Sequence, residues 1–304
     1  MERNVFLDYF KIILSILVIC IHMLPLFGNG EFTGWIISHG LARIAVPIFF
    51  IICGYYIGPK LNDPKKIRKY LIHLIIVYVT WMVIYLPFYY GAFYNIKNTI
   101  RIVVIGYHHL WYIPALISGI VFFFIINKYV KNHICILVIA LSLFLFGFYC
   151  SLDYARVYYY RNGIIMGFPF IALGYYLQKY NYAEKVKNSY LLIGIFIGLV
   201  LLVGESYFQY INSGGFNPYQ DFRLALLIIC PAIFLYIQKH AVISSGKEFV
   251  AILFSGIYFI HPLAMNIIGM PQTYMIYKLP LVVILSIALS YIVYLINKRV
   301  KIFF

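Results

Sequence analysis

Charged residues are scarce in this chain: only 11% of its 304 residues are Asp, Glu, Lys or Arg. A soluble globular domain carries about 25%, so the composition excludes an ordinary soluble protein. Acidic residues are the rarest charged class, nine against 24 lysines and arginines, and the formal net charge is +15. The five cysteines show no CxxC spacing, so the sequence predicts neither a disulfide framework nor a metal site.

Apolar residues make up 64% of the chain, and the mean hydropathy is +0.90. A membrane-spanning helix needs about 20 mostly apolar residues. Candidate segments lie at 5–27, 36–58, 70–90, 110–127, 133–150, 162–178, 189–204, 222–237, 249–269 and 279–297. We therefore predict an all-α, polytopic integral membrane helical bundle with about ten transmembrane helices, which forms a single domain over residues 1–304.

The basic residues are distributed unequally between the two sides of such a bundle. With the N-terminus inside, 17 lysines and arginines fall on the cytoplasmic side, six fall outside, and Arg43 lies within a span. Cytoplasmic loops of membrane proteins carry an excess of this kind, so the pattern predicts that both termini are cytoplasmic. The same bias explains the net positive charge without a nucleic acid, and the expected partner is the lipid bilayer.

His22 lies deep in the first apolar segment, eleven residues after Lys11. Eleven helical steps of ~100° return a side chain to nearly the same face, ~16 Å along the axis, and Asp8 and Ser15 share that face. Ionisable groups inside a membrane are costly and mark functional sites. An imidazole there is either hydrogen-bonded across a helix interface or acts as a general base. The same two interpretations apply to His261, beside a proline in the ninth span.

Arg43 lies within the second predicted span, where it requires a partner or a water-filled cavity. A structural ion pair with Glu31 or Asp8 is one interpretation, and a role at a reaction centre is the other. Pro47 and Gly54 follow in the same span, and we expect both to loosen this helix.

Polar and aromatic residues also occur at the outer ends of the predicted spans. His109, Trp111 and Tyr112 begin the fourth span, Arg161 opens the sixth, and Glu205 closes the seventh. Their composition fits an aromatic belt with solvated charges at the membrane edge, and it fits the rim of a substrate site equally well.

Together these motifs resemble the bacterial membrane-bound acyltransferase family 3. The resemblance covers almost the whole chain, and it begins with Lys11 and His22, which match an Arg/Lys-x10-His signature. The other matching pieces follow in order: Arg43–Phe50, Cys53–Tyr55, His109–Tyr112, Arg161–Gly163, Gly174 and Tyr258–Pro262. Lys11 stands where arginine is commoner in the family, and Cys53 replaces a small hydroxyl residue.

The first span is also similar to the membrane half of the serine racemases linked to vancomycin resistance. Those proteins carry a cytoplasmic racemase domain after the membrane part, whereas this sequence ends at Phe304. We therefore expect either a stand-alone relative or part of a longer protein.

The resemblance implies an O-acyltransferase of the bacterial cytoplasmic membrane. Such an enzyme moves an acyl group, usually acetyl from cytoplasmic acetyl-CoA, to a hydroxyl of a surface glycan or another extracytoplasmic acceptor, including small molecules. Arg3 and Lys11 would bind the acyl-CoA, and no metal is expected. The catalytic candidates are His22, Arg43 and Asp8. The substrate-binding candidates are His109, Trp111, Tyr112, Arg161, Glu205 and His261.

The alternative is a membrane transporter for a small polar solute such as serine, or a glycan exporter. The spans show no obvious inverted repeat, which is a common feature of transporters, although such symmetry is often invisible in a single sequence. Uptake without an acyl donor would favour transport, and release of free thiol from acetyl-CoA would favour the enzyme.

Overall fold

The computed structural model describes residues 2–24, 26–28, 30–61, 63–152, 157–214, 220–269 and 275–304. Within these ranges the structure is almost entirely helical. The helices of ten residues or more are α1 (Val5–His22), α2 (Ala45–Leu61), α3 (Pro64–Tyr89), α4 (Ile96–Ile105), α5 (Tyr112–Tyr129), α6 (His133–Leu152), α7 (Phe168–Lys179), α8 (Asn188–Ser213), α9 (Leu226–Lys239), α10 (Glu248–Ile268) and α11 (Leu279–Val300). Two short strands, β1 (Arg3–Asn4) and β2 (Ile243–Ser244), pair antiparallel.

Eight helical segments in the described ranges are long and apolar enough to cross a membrane. They confirm the prediction of an all-α, multi-pass membrane protein. Two of the ten predicted segments are shorter in the structure. One is α9, with 14 residues, and the other is α7, which extends a five-residue π-helical turn at Gly163–Gly167. The predicted number of about ten helices therefore agrees with the structure when these two shorter segments are counted with the eight long ones.

Two predicted helix ends are wrong. Helix α1 ends at His22 and not at residue 27, because Met23 leaves the helical backbone conformation. Pro25, outside the described residues, disfavours helical geometry in the residue before it. Helix α8 continues to Ser213, so Glu205 lies inside the helix and does not close it. His22 is thus the last residue of its helix.

The second span is irregular before it becomes an α-helix. A π-helical turn at Ile36–Gly40 and a 3-10 turn at Leu41–Ile44 precede α2. Pro47 has no N–H to donate to the carbonyl of Arg43, so the α-helical i→i−4 bond at this carbonyl cannot form and does not hold the turn before α2 in regular α-helical geometry. The predicted loosening therefore lies on the N-terminal side of Pro47.

Gly54 has a different role from the one predicted, because it lies in the regular part of α2. A Cβ atom on Gly54 would lie 2.0 Å from the carbonyl oxygen of Ile171, and one on Gly174 would lie 2.1 Å from that of Ile51. The two glycines therefore let α2 and α7 approach each other closely, which is how small residues act in membrane helix pairs.

The chain forms two compact units. The first contains residues 1–49, 181–299 and 304, and the second contains residues 50–180 and 300–303. In the first unit α1 packs along α10, and α8 packs along α9. In the second unit α6 packs on α7, and α5 packs on the turn that precedes α7. The prediction of a single domain stays a prediction.

Helices α1 and α10 run parallel, and this arrangement positions the candidate site. The Ser15 hydroxyl donates to the Phe254 carbonyl at 2.9 Å, and seven residues further along each helix His22 meets His261. The strand pair aligns Asn4 with Ile243 just before the two helices begin. Both helices therefore start on the same side, which the charge distribution predicts to be cytoplasmic.

Candidate active site

Two histidines meet where α1 ends against α10. The Nδ1 atom of His22 lies 3.2 Å from the Nε2 atom of His261, and the ring centroids are 4.9 Å apart. His261 is fully buried, and His22 is half-buried. Each ring also approaches the carbonyl four residues earlier in its own helix, at 2.9 Å for His22 to Val18 and 3.1 Å for His261 to Ile257.

These contacts assign the tautomers of the neutral pair. A carbonyl oxygen only accepts, so the Nδ1 atom of His261 carries its hydrogen and its Nε2 atom presents a lone pair. That lone pair faces the Nδ1 atom of His22, which also approaches the Val18 carbonyl. Both neighbours require a donor, so His22 carries its hydrogen on Nδ1. The lone pair of His22 is therefore on Nε2, where it can accept a proton or attack a carbonyl carbon.

A charged cluster lies at the other end of α1. Asp8 pairs with Lys11 at 2.7 Å and with Arg3 at 3.3 Å, and all three side chains are largely buried. The Lys11 ammonium also lies 4.5 Å from the ring centroid of Phe254 on α10. Pairing of β1 with β2, and a hydrogen bond from Arg3 to the Gly246 carbonyl, hold the Arg3 guanidinium in place. Two cations share one carboxylate, so the cluster keeps a net positive charge.

The predicted alignment of Lys11 and His22 on one helix face is confirmed, since both contact α10. Asp8 lies 14 residues before His22, about 21 Å along a helix. Asp8 therefore contacts the cations at the start of α1 and not the imidazole at its end. Its predicted catalytic role stays a prediction.

Arg43 belongs to a second buried cluster. Its guanidinium forms an ion pair with Asp221 and donates to the Nδ1 atom of His39 at 2.9 Å. The proposed partners Glu31 and Asp8 are therefore corrected to Asp221. The π-helical and 3-10 turns of the second span bring His39 and Arg43 to the same side of the chain. A buried charge needs such a partner, because an isolated one is very costly to desolvate.

Arg223 and Glu205 form hydrogen bonds with backbone groups, several of which lie just before the start of α9. Arg223 donates to the carbonyls of Phe222 at 2.9 Å and His39 at 3.3 Å. The Glu205 carboxylate accepts from the backbone N–H groups of Leu224 at 3.0 Å and of the following residue at 3.2 Å. A carboxylate at these amides, just before α9 begins, stabilises the start of the helix. Substrate binding by Glu205 stays a prediction.

The predicted outer residues of the second unit divide into two groups. Trp111 and Arg161 line a cavity of about 350 Å³, with the Arg161 guanidinium 5.4 Å from the Trp111 ring centroid. His109 is buried edge-to-face against Tyr85, and Tyr112 packs on Phe50. Trp111 and Arg161 can therefore reach a ligand in this cavity, whereas the other two side chains pack against aromatic neighbours.

Sequence reasoning missed three residues of the buried clusters. His39, Asp221 and Arg223 are each less than a tenth exposed. The signal that could have revealed Asp221 and Arg223 was their position on either side of Phe222, at the start of a short apolar segment. Among the described residues, no group of three or more His, Cys, Asp or Glu side chains is arranged to hold a metal ion.

Comparison with known proteins adds a family match. The sequence profile of a family described as "Acyltransferase domain", acyltransferase family 3, matches residues 4–295. The match includes the His22 pair, the Arg43 cluster and the cavity residues. No solved structure matches this chain.

Three curated relatives are named as racemases. Two amino-acid racemases of Enterococcus faecalis are 25% and 24% identical, over 62% and 86% of this chain and 30% and 41% of their own lengths. A serine/alanine racemase of Enterococcus gallinarum is 28% identical over 38% of this chain and 19% of its own length. The chain thus spans less than half the length of these relatives.

Proposed function

This chain belongs to acyltransferase family 3, and on that premise we propose that it is a membrane O-acyltransferase. It moves an acyl group, acetyl in the first instance, from cytoplasmic acyl-CoA to a hydroxyl group of an extracytoplasmic acceptor such as a surface glycan. Its proposed location is the bacterial cytoplasmic membrane, with both termini inside. The observation that carries the proposal is the His22–His261 pair, which directs the lone pair of His22 to Nε2.

The proposed reaction uses His22 as the general base. The Nε2 atom takes the proton of the acceptor hydroxyl while the oxygen attacks the thioester carbonyl carbon. A new C–O bond forms, the C–S bond breaks, and the thiolate of CoA takes the proton from His22. In the alternative route Nε2 attacks the thioester first, the C–S bond breaks and the CoA thiolate leaves. The hydroxyl oxygen then takes the acyl group as the N–C bond breaks, and the hydroxyl proton goes to the thiolate. His261 is a positioning residue in both routes, because it contacts Nδ1 and not the reacting atoms.

The cluster at the start of α1 is the proposed donor site. Phosphate groups of CoA are anionic, and Arg3 and Lys11 share a single carboxylate, Asp8. Charge-assisted hydrogen bonds to phosphate are strong. The acyl thioester lies at the end of a long flexible arm of CoA, so phosphates near Lys11 and a thioester near His22 can belong to one molecule. Asp8 is then the residue that orients the two cations.

Arg43 is proposed to act as a positioning residue. Its guanidinium is engaged by Asp221 and His39, and all three side chains are buried. Those contacts lock the irregular turns of the second span. Trp111 and Arg161 remain the proposed acceptor-binding residues, because their side chains line a cavity of sufficient size for a sugar-sized group.

Reconstitution of the purified full-length chain in liposomes tests the proposal. Acetyl-CoA is supplied with a mixture of glycan fragments, and free thiol is measured together with the acetylated product. Release of thiol that depends on the acceptor supports the enzyme. Uptake of labelled serine without any acyl donor, in the absence of thiol release, would instead establish the transporter and contradict the proposal.

A further inference from the structure

The buried face of α8 changes from apolar to polar towards the C-terminal end of the helix. Leu191, Gly198 and Leu202 form the first part of this face. Ser206 and Gln209 continue it at spacings of four and three residues, which keeps them on the same side of the helix. Ser206 is fully buried, and Gln209 is 4% exposed. Polar side chains buried in a membrane protein usually form hydrogen bonds with a neighbouring helix, so both residues are expected to have partners.

Neither side chain has a hydrogen-bond partner within the part of the chain that the structure describes. The Ser206 hydroxyl and both the oxygen and the nitrogen of the Gln209 amide are buried and unpartnered. The hydroxyl of Ser213, one turn further along the same face, is buried and unpartnered as well. A buried polar atom without a partner destabilises a protein. Three such groups along two helical turns therefore indicate a molecule that the chain itself does not supply.

A buried cation lies next to Ser206. Arg223 is 3% exposed, and its Nε–H has no acceptor among the described residues. Its Nη2 atom donates to the His39 carbonyl at 3.3 Å. A Cβ atom on Gly40, the next residue, would lie 2.7 Å from the Ser206 hydroxyl. The guanidinium and the hydroxyl thus both lie beside the peptide that joins His39 to Gly40, and the Nε–H adds a donor to the unpartnered groups of α8.

A π-helical turn connects this polar face with α1. The turn comprises Ile36–Gly40, and such geometry is rare and frequent at functional sites. Trp35, which precedes the turn, donates from Nε1 to a backbone carbonyl of α8 at 3.1 Å. The Ser38 hydroxyl donates to the Cys20 carbonyl at 2.9 Å, two residues before His22. The turn therefore contacts both the polar end of α8 and the last turn of α1, and all these residues belong to the first unit.

The charges around Arg223 are balanced. Asp221 pairs with Arg43. Glu205 and Asp221 both interact electrostatically with Arg223. Two carboxylates thus match two guanidinium groups, and the sequence 215–219, which lies between α8 and these residues, contains no acidic or basic residue. The unpartnered hydroxyls, amide and N–H can donate and accept hydrogen bonds without a net charge, which suits the hydroxyl groups of an uncharged sugar.

We propose that Ser206, Gln209 and the Nε–H of Arg223 bind the hydroxyl groups of a neutral saccharide that forms part of the acyl acceptor. Its role as acceptor rests on the proposed function, whereas saccharide binding rests on the unpartnered groups. The polar end of α8 lies on the predicted outer side, where an extracytoplasmic acceptor arrives, and it belongs to the same unit as His22. Buried water is the competing occupant, because it satisfies polar groups in the same way.

The test measures sugar binding to the full-length chain in nanodiscs, without acyl-CoA. Saturation-transfer NMR gives the Kd of two neutral sugars, methyl glucoside and N-acetylglucosamine, and of anionic glucuronate. We expect a neutral sugar to bind more tightly than glucuronate, and Q209M and S206A each to weaken its binding about fivefold through loss of a hydrogen bond. N212L is the matched control, because it removes an exposed amide of the same helix, and it should bind as the wild type does.

Thermal stability in the absence of sugar separates a ligand site from a structural one. Q209M removes two unpartnered polar atoms, so this variant should be at least as stable as the wild type. A clear loss of stability in Q209M would show that the amide holds the fold, and it would overturn the proposal. Unchanged sugar binding by both Q209M and S206A would assign the polar groups to water. Failure of the wild type to bind either neutral sugar, or tighter binding of glucuronate, would also overturn it.

The inference and the proposed function can fail separately. H22A should bind the neutral sugar as the wild type does, because its hydrogen bonds come from α8 and Arg223. Sugar binding without thiol release from acetyl-CoA in the wild type would reject the acyltransferase and leave the saccharide site. In an active enzyme, Q209M should raise the acceptor KM about fivefold with little change in kcat. An unchanged acceptor KM would reject the site and leave the acyltransferase.

Discussion

Two histidines of the first unit, the half-buried His22 and the buried His39, have opposite hydrogen-bond roles. The Nδ1 atom of His22 donates, because the Val18 carbonyl and the lone pair of His261 face it. The Nδ1 atom of His39 accepts, because the Arg43 guanidinium faces it and a guanidinium only donates. The same side chain thus has its lone pair on Nε2 in one cluster and on Nδ1 in the other.

The difference between the clusters explains their different roles. The lone pair of His39 is used by Arg43, whose charge is balanced by Asp221. That cluster resembles a closed structural unit, in which each charge has a partner. In the His22 cluster the contacts described above involve Nδ1, and the proposed reaction uses Nε2. The comparison predicts that substitutions in the His22 cluster reduce activity, whereas substitutions in the Arg43 cluster reduce stability.

The largest expected effect is that of His22→Ala on acyl transfer. Loss of a general base reduces the rate by roughly 10²–10⁴-fold, and it leaves no buried charge without a partner. We therefore expect a normal protein yield with almost no acceptor-dependent thiol release. His240→Ala is the matched control, since it removes an exposed histidine of the same unit. Full activity of H22A would refute the assignment of His22.

Asp221→Ala should break the closed cluster. It leaves the buried Arg43 guanidinium without its ion-pair partner, which costs about 3–5 kcal/mol of stability. We expect a clear loss of thermal stability, measured as the folded fraction that survives heating in detergent and elutes as a single peak on gel filtration. A variant as stable as the wild type would show that the Arg43–Asp221 pair does not hold the turns of the second span.

The double variant R43M/D221L sharpens the same comparison. Replacing both members of a buried ion pair with apolar residues is often neutral, so it should restore much of the stability lost in D221A. If Arg43 only positions the turns, the double variant also keeps most of the transfer rate. A stable double variant without activity would instead assign Arg43 to the reaction.

Much of the fold follows from local sequence patterns. Apolar runs of about 20 residues predict the long helices, and the eleven-residue spacing correctly predicts that Lys11 and His22 face the same neighbour. The end of the seventh span was predicted wrongly, because a charged residue such as Glu205 after an apolar stretch is typical of the end of a membrane span. Its carboxylate instead contacts the backbone just before α9, so α8 continues to Ser213.

The partners within each cluster could not be predicted in this way. His261 meets His22 across 239 positions, and Asp221 meets Arg43 across 178. Such contacts depend on which helices pack together, and helix packing in a membrane is set by close approach at small residues such as Gly54 and not by a local pattern. The sequence therefore predicted which residues are costly to bury, but not which residue compensates each of them.

Lys11→Gln should weaken donor binding about tenfold with little change in kcat. The substitution leaves Arg3 and Asp8 as a neutral pair, so the cluster loses the net charge that attracts phosphate, and a hydrogen bond to a charged group is worth about 1.5–3 kcal/mol. The measurement is the KM for acetyl-CoA at two salt concentrations. Lys301→Gln, an exposed lysine near the C-terminus, is the control. A fall in kcat with an unchanged KM would contradict a donor site here.

The smallest expected effect is that of His261→Ala. It removes one of two acceptors for the Nδ1–H of His22, and the Val18 carbonyl keeps the other contact. The net contribution of one hydrogen bond is about 1 kcal/mol. We therefore expect kcat to fall about fivefold, while the KM values for donor and acceptor stay the same. A rise in the acceptor KM would instead support the earlier assignment of His261 to substrate binding.

His261→Gln distinguishes positioning from packing at the same site. The amide oxygen of glutamine can accept from the Nδ1–H of His22, whereas its volume and flexibility differ from those of an imidazole ring. If His261 acts by fixing the tautomer of His22, the glutamine variant should recover much of kcat relative to His261→Ala, even with imperfect packing. If His261 only fills space, both variants should lose stability and activity together. Recovery of kcat by glutamine alone would therefore tie the rate to a single hydrogen bond.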